Sequence, residues 1–143
     1  MKKSAKTKLE LPAESQNESF ARVFAAAYSA RLDPTLEELA DIKTVVSEAV
    51  TNAVVHAYPG RRGAIHITAQ VIGDDTLEFT VKDRGVGIEN VERAMEPMYT
   101  TGGEERSGMG FTIMQSFSDR LTVASKAGKG TTVKLRKRIR RKV

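Results

Sequence analysis

The hydrophobic pattern of this chain changes period at Pro59-Gly60, and that single switch limits the architectures open to it. Before it, Phe20, Val23, Phe24, Ala27 and Tyr28 recur at helical spacing, which predicts an amphipathic helix over about residues 14–31. Asp33-Pro34-Thr35 breaks and restarts the run, with Thr35 and Glu38 spaced as a capping box, and the second helix is predicted to reach about Tyr58. After the switch, 64–72 and 76–82 are rich in β-branched residues and joined by Gly73-Asp74-Asp75, the pattern of a hairpin. A short alternating strand is predicted at 6–11, closed by Pro12. Further on come a short helix near 91–95, a polar loop at about 99–107, a helix at 108–117, and strands at 121–125 and 131–135 across Gly128-Lys129-Gly130. This order predicts an α+β two-layer sandwich: one mixed, mostly antiparallel sheet with helices on one face.

A length of 143 residues suits one domain, taken as 1–143, and leaves no room for two. The absence of cysteine excludes disulfides, thiolate metal sites and cysteine catalysis, and is compatible with a reducing cytosol. No window approaches the roughly 18 apolar residues of a spanning helix, so a cytoplasmic chain without membrane contact is predicted. The net charge of +5 invites a nucleic-acid reading, but its distribution argues against one. Setting aside the 11 basic residues of segments 1–8 and 134–142 leaves 12 basic against 18 acidic residues. The body is acidic, and the basic run 136–143 reads as a solvated tail with no direct role on nucleic acid.

Glu48, Asn52 and His56 are spaced four apart on the second helix. Each step of four drifts by about 40°, so they form a polar stripe along one edge of an apolar face made by Ile42, Val45, Val46, Ala49, Val50, Ala53 and Val54. A carboxylate and an amide there are half-buried, where a cleft would be lined. By itself the stripe is also what any amphipathic helix with a polar margin shows. Three glycine loops alter that balance. Asp83-Arg84-Gly85-Val86-Gly87 follows a strand, where backbone can approach a ligand and the aspartate can accept hydrogen bonds from an amino-bearing ring. Ser107-Gly108-Met109-Gly110 opens a helix whose N–H groups attract phosphate, and Gly128-Lys129-Gly130-Thr131 joins two strands.

Taken in order, Glu48-x-x-x-Asn52, Asp83-x-Gly85-x-Gly87, Gly108-x-Gly110 and Gly128-x-Gly130-Thr131 resemble the ATP-binding fold shared by gyrase, Hsp90, histidine kinases and MutL. The chain is more closely similar to the small anti-sigma factor serine kinases, through Asn17-Glu-Ser-Phe-Ala-Arg22, Leu32-Asp-Pro-Thr35, the 42–52 run and Arg106-Ser-Gly-Met-Gly-Phe-Thr112. The resemblance implies ATP and magnesium as cofactors. It makes Asn52 the magnesium ligand and Glu48 the general base. Asp83 becomes the adenine acceptor, with Thr131 nearby through water and Gly85 and Gly87 against the ring. Thr101 falls in a lid over 96–107, Ser107, Gly108 and Gly110 hold phosphates, and Arg106 reaches the terminal phosphate. Arg22 matches an arginine that relatives use to grip protein partners. The implied partners are a sporulation sigma factor of the sigma F kind, an anti-anti-sigma factor phosphorylated on serine, and a second copy in a homodimer. At the lid the chain departs from the family, carrying Gly102-Gly103 after Thr100-Thr101 where relatives carry Lys-Pro. Two rival readings stand beside this one: a nucleotide-dependent binding switch without catalysis, and a free-standing histidine-kinase-like or ATP-hydrolysing domain.

Overall fold

The computed structural model describes residues 2–96 and 110–140. Thr7–Pro12 forms β1, and α1 (Asn17–Ser29) runs into a 3₁₀ turn at Ala30–Leu32. Asp33 ends that turn in the left-handed region, at φ 51°. Thr35 then starts α2 (Leu36–Asn52) with the expected capping box: the Glu38 N–H donates to Thr35 Oγ1 at 3.1 Å, and the Thr35 N–H donates to Glu38 Oε1 at 2.9 Å. The helix continues as one π turn at Ala53–Ala57. The hairpin follows as β2 (Ala64–Ile72) and β3 (Thr76–Asp83), then α3 (Val91–Ala94), α4 (Gly110–Phe117), β4 (Arg120–Lys126) and β5 (Gly130–Arg138).

The strand order is β1-β2-β3-β5-β4, and all pairings are antiparallel. The sheet is therefore not mixed. After α4 the chain returns as β4 on the far edge, and the β4–β5 hairpin inserts β5 antiparallel beside β3. Helices cover one face. There Ala69, Phe79 and Leu135 form one cross-strand row, and Ile67, Val81 and Val133 the next. On these rows α2 lays Ile42, Val45, Val46, Ala49 and Val50, all buried, which is the face its period predicts. Phe79 is fully buried and meets the Tyr28 ring edge-on at a centroid distance of 5.9 Å.

The inward face of α1 differs from the one its large residues suggest. Ala21, Ala25 and Tyr28 are buried, whereas Phe20 and Val23 are 56% and 68% exposed. Alanines one turn apart let α1 approach α2 and the sheet closely, and the larger side chains are left outside. The basic C-terminal run also departs from the sequence reading. Arg136, Lys137 and Arg138 belong to β5 and pair with Glu78 at 2.7 Å, Asp41 at 2.9 Å and Asp75 at 2.8 Å. Ile139 is buried, and the Arg140 N–H donates to Glu38 Oε2. As far as residue 140 the segment is thus strand and its packed continuation, its cations paired with carboxylates on neighbouring elements, while Arg138 and Arg140 stay largely exposed. Among the described residues, no helix is long and apolar enough to cross a membrane.

Candidate functional site

Asp83 is the last residue of β3 and is 7% exposed. Its Oδ1 accepts the backbone N–H of Gly85 at 3.0 Å and that of Thr131, on β5, at 3.2 Å. Burial pushes its carboxyl above the ordinary aspartate value, and the two backbone N–H groups offset only part of that rise. A carboxylate desolvated and pinned through one oxygen is poised to use the other on a ligand.

The loop after Asp83 is threaded between two neighbours. The Val86 N–H donates to the Ala57 carbonyl at 2.8 Å, and the Gly128 N–H donates to the Val86 carbonyl at 2.7 Å. Gly85 passes so near the end of α2 that a Cβ would overlap the Ala57 carbonyl oxygen. Gly87 takes φ 75°, and a Cβ there would overlap the Lys126 carbonyl oxygen. The glycines in Asp83-x-Gly85-x-Gly87 are thus required by packing before any ligand is considered.

A cavity of about 610 Å3 opens beside this loop, a size that suits a cofactor. Asn52 and His56 line it from the end of α2, Asp83 and Gly87 from the loop, and Thr131 from β5. Gly110, at the start of α4, closes the wall. His56 follows Asn52 by four residues across the join between α2 and its π turn, and both side chains reach the one cavity.

Of the residues singled out by sequence, the fold brings Asn52, Asp83, Gly87, Gly110 and Thr131 around one space, with Gly85 packed behind them. Glu48 is half-buried one turn before Asn52 and does not line this cavity. Arg22 lies apart, on the exposed side of α1, paired with Glu18 at 3.2 Å. Thr101, Arg106, Ser107 and Gly108, and the lid as a whole from residue 97, lie outside the described residues.

Two contributors escape the motif search. The Tyr58 hydroxyl accepts the Arg84 N–H at 2.8 Å and donates to the Ala64 carbonyl at 2.7 Å, tying the Asp83 loop to the start of β2. Ser125 Oγ accepts the Ile88 N–H at 2.8 Å and lies 2.7 Å from Thr131 Oγ1. Ser125 could have been found from the hairpin register, which places it opposite Thr131. Tyr58 carries no such signal, since it reads as an ordinary helix stop before Pro59-Gly60.

Among the described residues, no group of three or more His, Asp or Glu side chains could hold a metal. A magnesium ion carried by a triphosphate needs no such cage; one amide oxygen, phosphates and water suffice, and the cavity-lining Asn52 fits that role.

Comparison with known proteins agrees with this geometry. The family described as "Histidine kinase-like ATPase domain" matches residues 11–137. A protein of Geobacillus sp. (strain WCH70) named "Anti-sigma F factor" is 56% identical over 132 residues, 92% of this chain and 90% of the relative. A protein of Clostridium acetobutylicum with the same name is 53% identical over 134 residues, 93% of each chain. Among solved structures, the RsbU and RsbW domains of Rv1364c from Mycobacterium tuberculosis share the fold at a TM-score of 0.68 and 22% identity, over 95% of this chain and 32% of that one. The mycobacterial sensor histidine kinase MprB shares it at 0.60 and 16% identity, over 92% of this chain and 99% of that one. The chain therefore belongs to the histidine kinase-like ATPase domain family, among the proteins known as anti-sigma F factors.

Proposed function

We propose that this protein is an anti-sigma factor and ATP-dependent serine kinase of the cytoplasm. It binds a sporulation sigma factor of the sigma F kind and phosphorylates the anti-anti-sigma factor that would displace it. The observation that carries the reading is the buried Asp83 carboxylate, pinned through Oδ1 and set in a cavity shared with Asn52, Gly110 and Thr131. Such a carboxylate accepts hydrogen bonds from the amino group of adenine.

In the proposed reaction the partner's serine oxygen attacks the γ-phosphorus, the bond to the β,γ-bridging oxygen breaks, and ADP leaves. Glu48 takes the serine proton. Asn52 would hold the magnesium ion, which would neutralise charge on the transferring phosphates. The N–H groups at Gly110, with Ser107 and Gly108, receive the phosphates, and Arg106 and Thr101 act from the lid. Arg22, exposed on α1, grips the protein partners, and the exposed Phe20 and Val23, on a different side of that helix, are offered to a second copy in a homodimer.

The test is incubation with labelled ATP, magnesium and the candidate antagonist. Acid-stable label on the partner's serine is expected, whereas acid-labile label or free phosphate alone rejects the reading. Glu48→Gln is expected to lower transfer by about 10²-fold or more while leaving the ATP dissociation constant unchanged. One observation favours a second reading, a nucleotide-gated binding switch without catalysis: Glu48 does not line the cavity that Asn52 lines. On that reading the wild-type protein transfers no label, yet ATP still changes its affinity for partners.

A further inference from the structure

We propose that the end of the sheet carrying the Asp83 loop is a docking surface for an acidic segment of a partner protein. Three connections meet there. The stretch 58–63 leads into β2, 84–88 leaves β3, and 126–130 turns β4 into β5, so the antiparallel order puts all three at one end of the sheet. They are also tied to one another. The Tyr58 hydroxyl accepts the Arg84 N–H at 2.8 Å, the Ala57 carbonyl accepts the Val86 N–H at 2.8 Å, and the Val86 carbonyl accepts the Gly128 N–H at 2.7 Å.

These connections gather Arg61, Arg62, Arg84, Lys126 and Lys129, all exposed, and the same stretches hold no Asp or Glu. The flanking acids are Asp83, buried and held by backbone N–H groups, and the exposed Glu89. Among the described residues none of the five cations makes an ion pair. On β5, by contrast, Arg136, Lys137 and Arg138 each meet a carboxylate. Uncompensated charge of one sign, fixed in place by a rigid frame, attracts a partner of the other sign. The surroundings favour a protein over a nucleic acid. The Tyr58 ring packs on Gly63, where a Cβ would overlap it, and the Arg61 guanidinium lies 5.1 Å from its centroid, so that ring is taken rather than offered to a base. The patch is made of connections and turns and presents no helix to a groove. Apolar side chains do border it: Val55 on the π turn is 40% exposed and Val86 in the loop 42%. Cations beside apolar spots match a run of Asp and Glu interrupted by an apolar residue.

Amide chemical shifts of the isotope-labelled full-length protein, titrated with the peptide Glu-Asp-Glu-Leu-Glu-Asp-Glu, test this. Shifts are expected at 58–63, 84–88 and 126–130, with binding about tenfold weaker at ~0.5 M salt. Serine in place of the peptide's leucine should weaken it a few-fold. Arg61→Glu with Arg62→Glu, and separately Lys126→Glu with Lys129→Glu, should each weaken it by about tenfold. Lys6→Glu with Lys8→Glu makes the same change in net charge at exposed positions around β1 and should leave it unaltered. No saturable binding, shifts confined to other surfaces, or an equal loss in the Lys6 and Lys8 variant each overturn the inference, the last by showing attraction to net charge alone. Duplex DNA that shifts the same amides more tightly than the peptide would assign the surface to nucleic acid and overturn it too. Should one charge-reversed pair not melt as wild type does, the other pair and the wild-type shift map still decide. The inference is independent of what fills the cavity, so its failure leaves the nucleotide reading standing.

Discussion

Asp83 combines two opposing demands in one side chain. Burial raises its pKa, so the folded state holds a proton more tightly than the unfolded chain does. The contribution of this group to stability therefore rises as pH falls through its folded value. Its service to a ligand runs the other way, since an ionised carboxylate is the better acceptor. Affinity for ADP should thus weaken on acidification from a pH above the ordinary aspartate range, and calorimetry against pH should show the slope disappear in Asp83→Asn relative to wild type. Asp83→Ala should lose nucleotide binding altogether; an unchanged dissociation constant would refute the adenine assignment. Asp83 stood out in sequence only in company, because one Asp-x-Gly-x-Gly is weak by itself and the four motifs in order carried the resemblance. Its anchoring by the Thr131 N–H was not legible, because nothing local pairs residues 48 positions apart. Tyr28 carries the opposite lesson. Its hydroxyl is buried with no hydrogen-bond partner among the described residues. Tyr28→Phe is expected to be neutral or stabilising by about 1 kcal/mol in denaturant unfolding, because an unsatisfied group is removed.

At the level of elements, the end of α2 does the positioning. Its π turn carries His56 to the cavity that Asn52 lines, the Ala57 carbonyl holds the Val86 N–H, and Tyr58 holds the Arg84 N–H. Tyr58→Phe should leave the helix intact while weakening ADP binding several-fold, and amide exchange at Arg84 should speed up. Gly85→Ala should cost more, about 2–4 kcal/mol by unfolding, since the methyl would overlap the Ala57 carbonyl and Ala57 Cβ, neither of which is the far end of a flexible side chain. The capping box and apolar stripe made α2 readable to within a residue at its start. The π turn was invisible, because no residue type demands it. The α1 face was misjudged for a related reason: periodicity ranks side chains by size and polarity, whereas close packing favoured Ala21 and Ala25. On the uncovered side of the sheet, Glu78 is 2% exposed, accepting from Gln70 at 2.6 Å and Arg136 at 2.7 Å. Burial alone would raise its pKa, but these hydrogen bonds outweigh it and hold the carboxyl below the ordinary glutamate value. Its contribution is present above the ordinary value and lost as pH falls through the folded one, opposite in sign to that of Asp83. Glu78→Gln should therefore lower stability at neutral pH by about 1–3 kcal/mol and flatten its acid limb.

For the whole molecule, the C-terminal strand decides the architecture. It lies between β3 and β4 and carries Thr131 at one end and the Arg136, Lys137 and Arg138 ion pairs at the other. Composition alone made those cations look like a charged appendage, because their carboxylate partners are scattered from Asp41 to Glu78 along the chain. Deleting 136–143 is expected to lower the melting temperature by several degrees or to abolish folding, by loss of the buried Ile139 and three ion pairs. A melting curve matching the intact protein would restore the solvated-tail reading.

That strand is also made late. Synthesis delivers Asp83 well before Thr131, and a nascent chain lacking β5 has an open sheet edge and only a fraction of the pocket wall. The pocket wall is complete only once β5 has joined the sheet, so the cavity is made by long-range pairing and not by the local Asp83 loop.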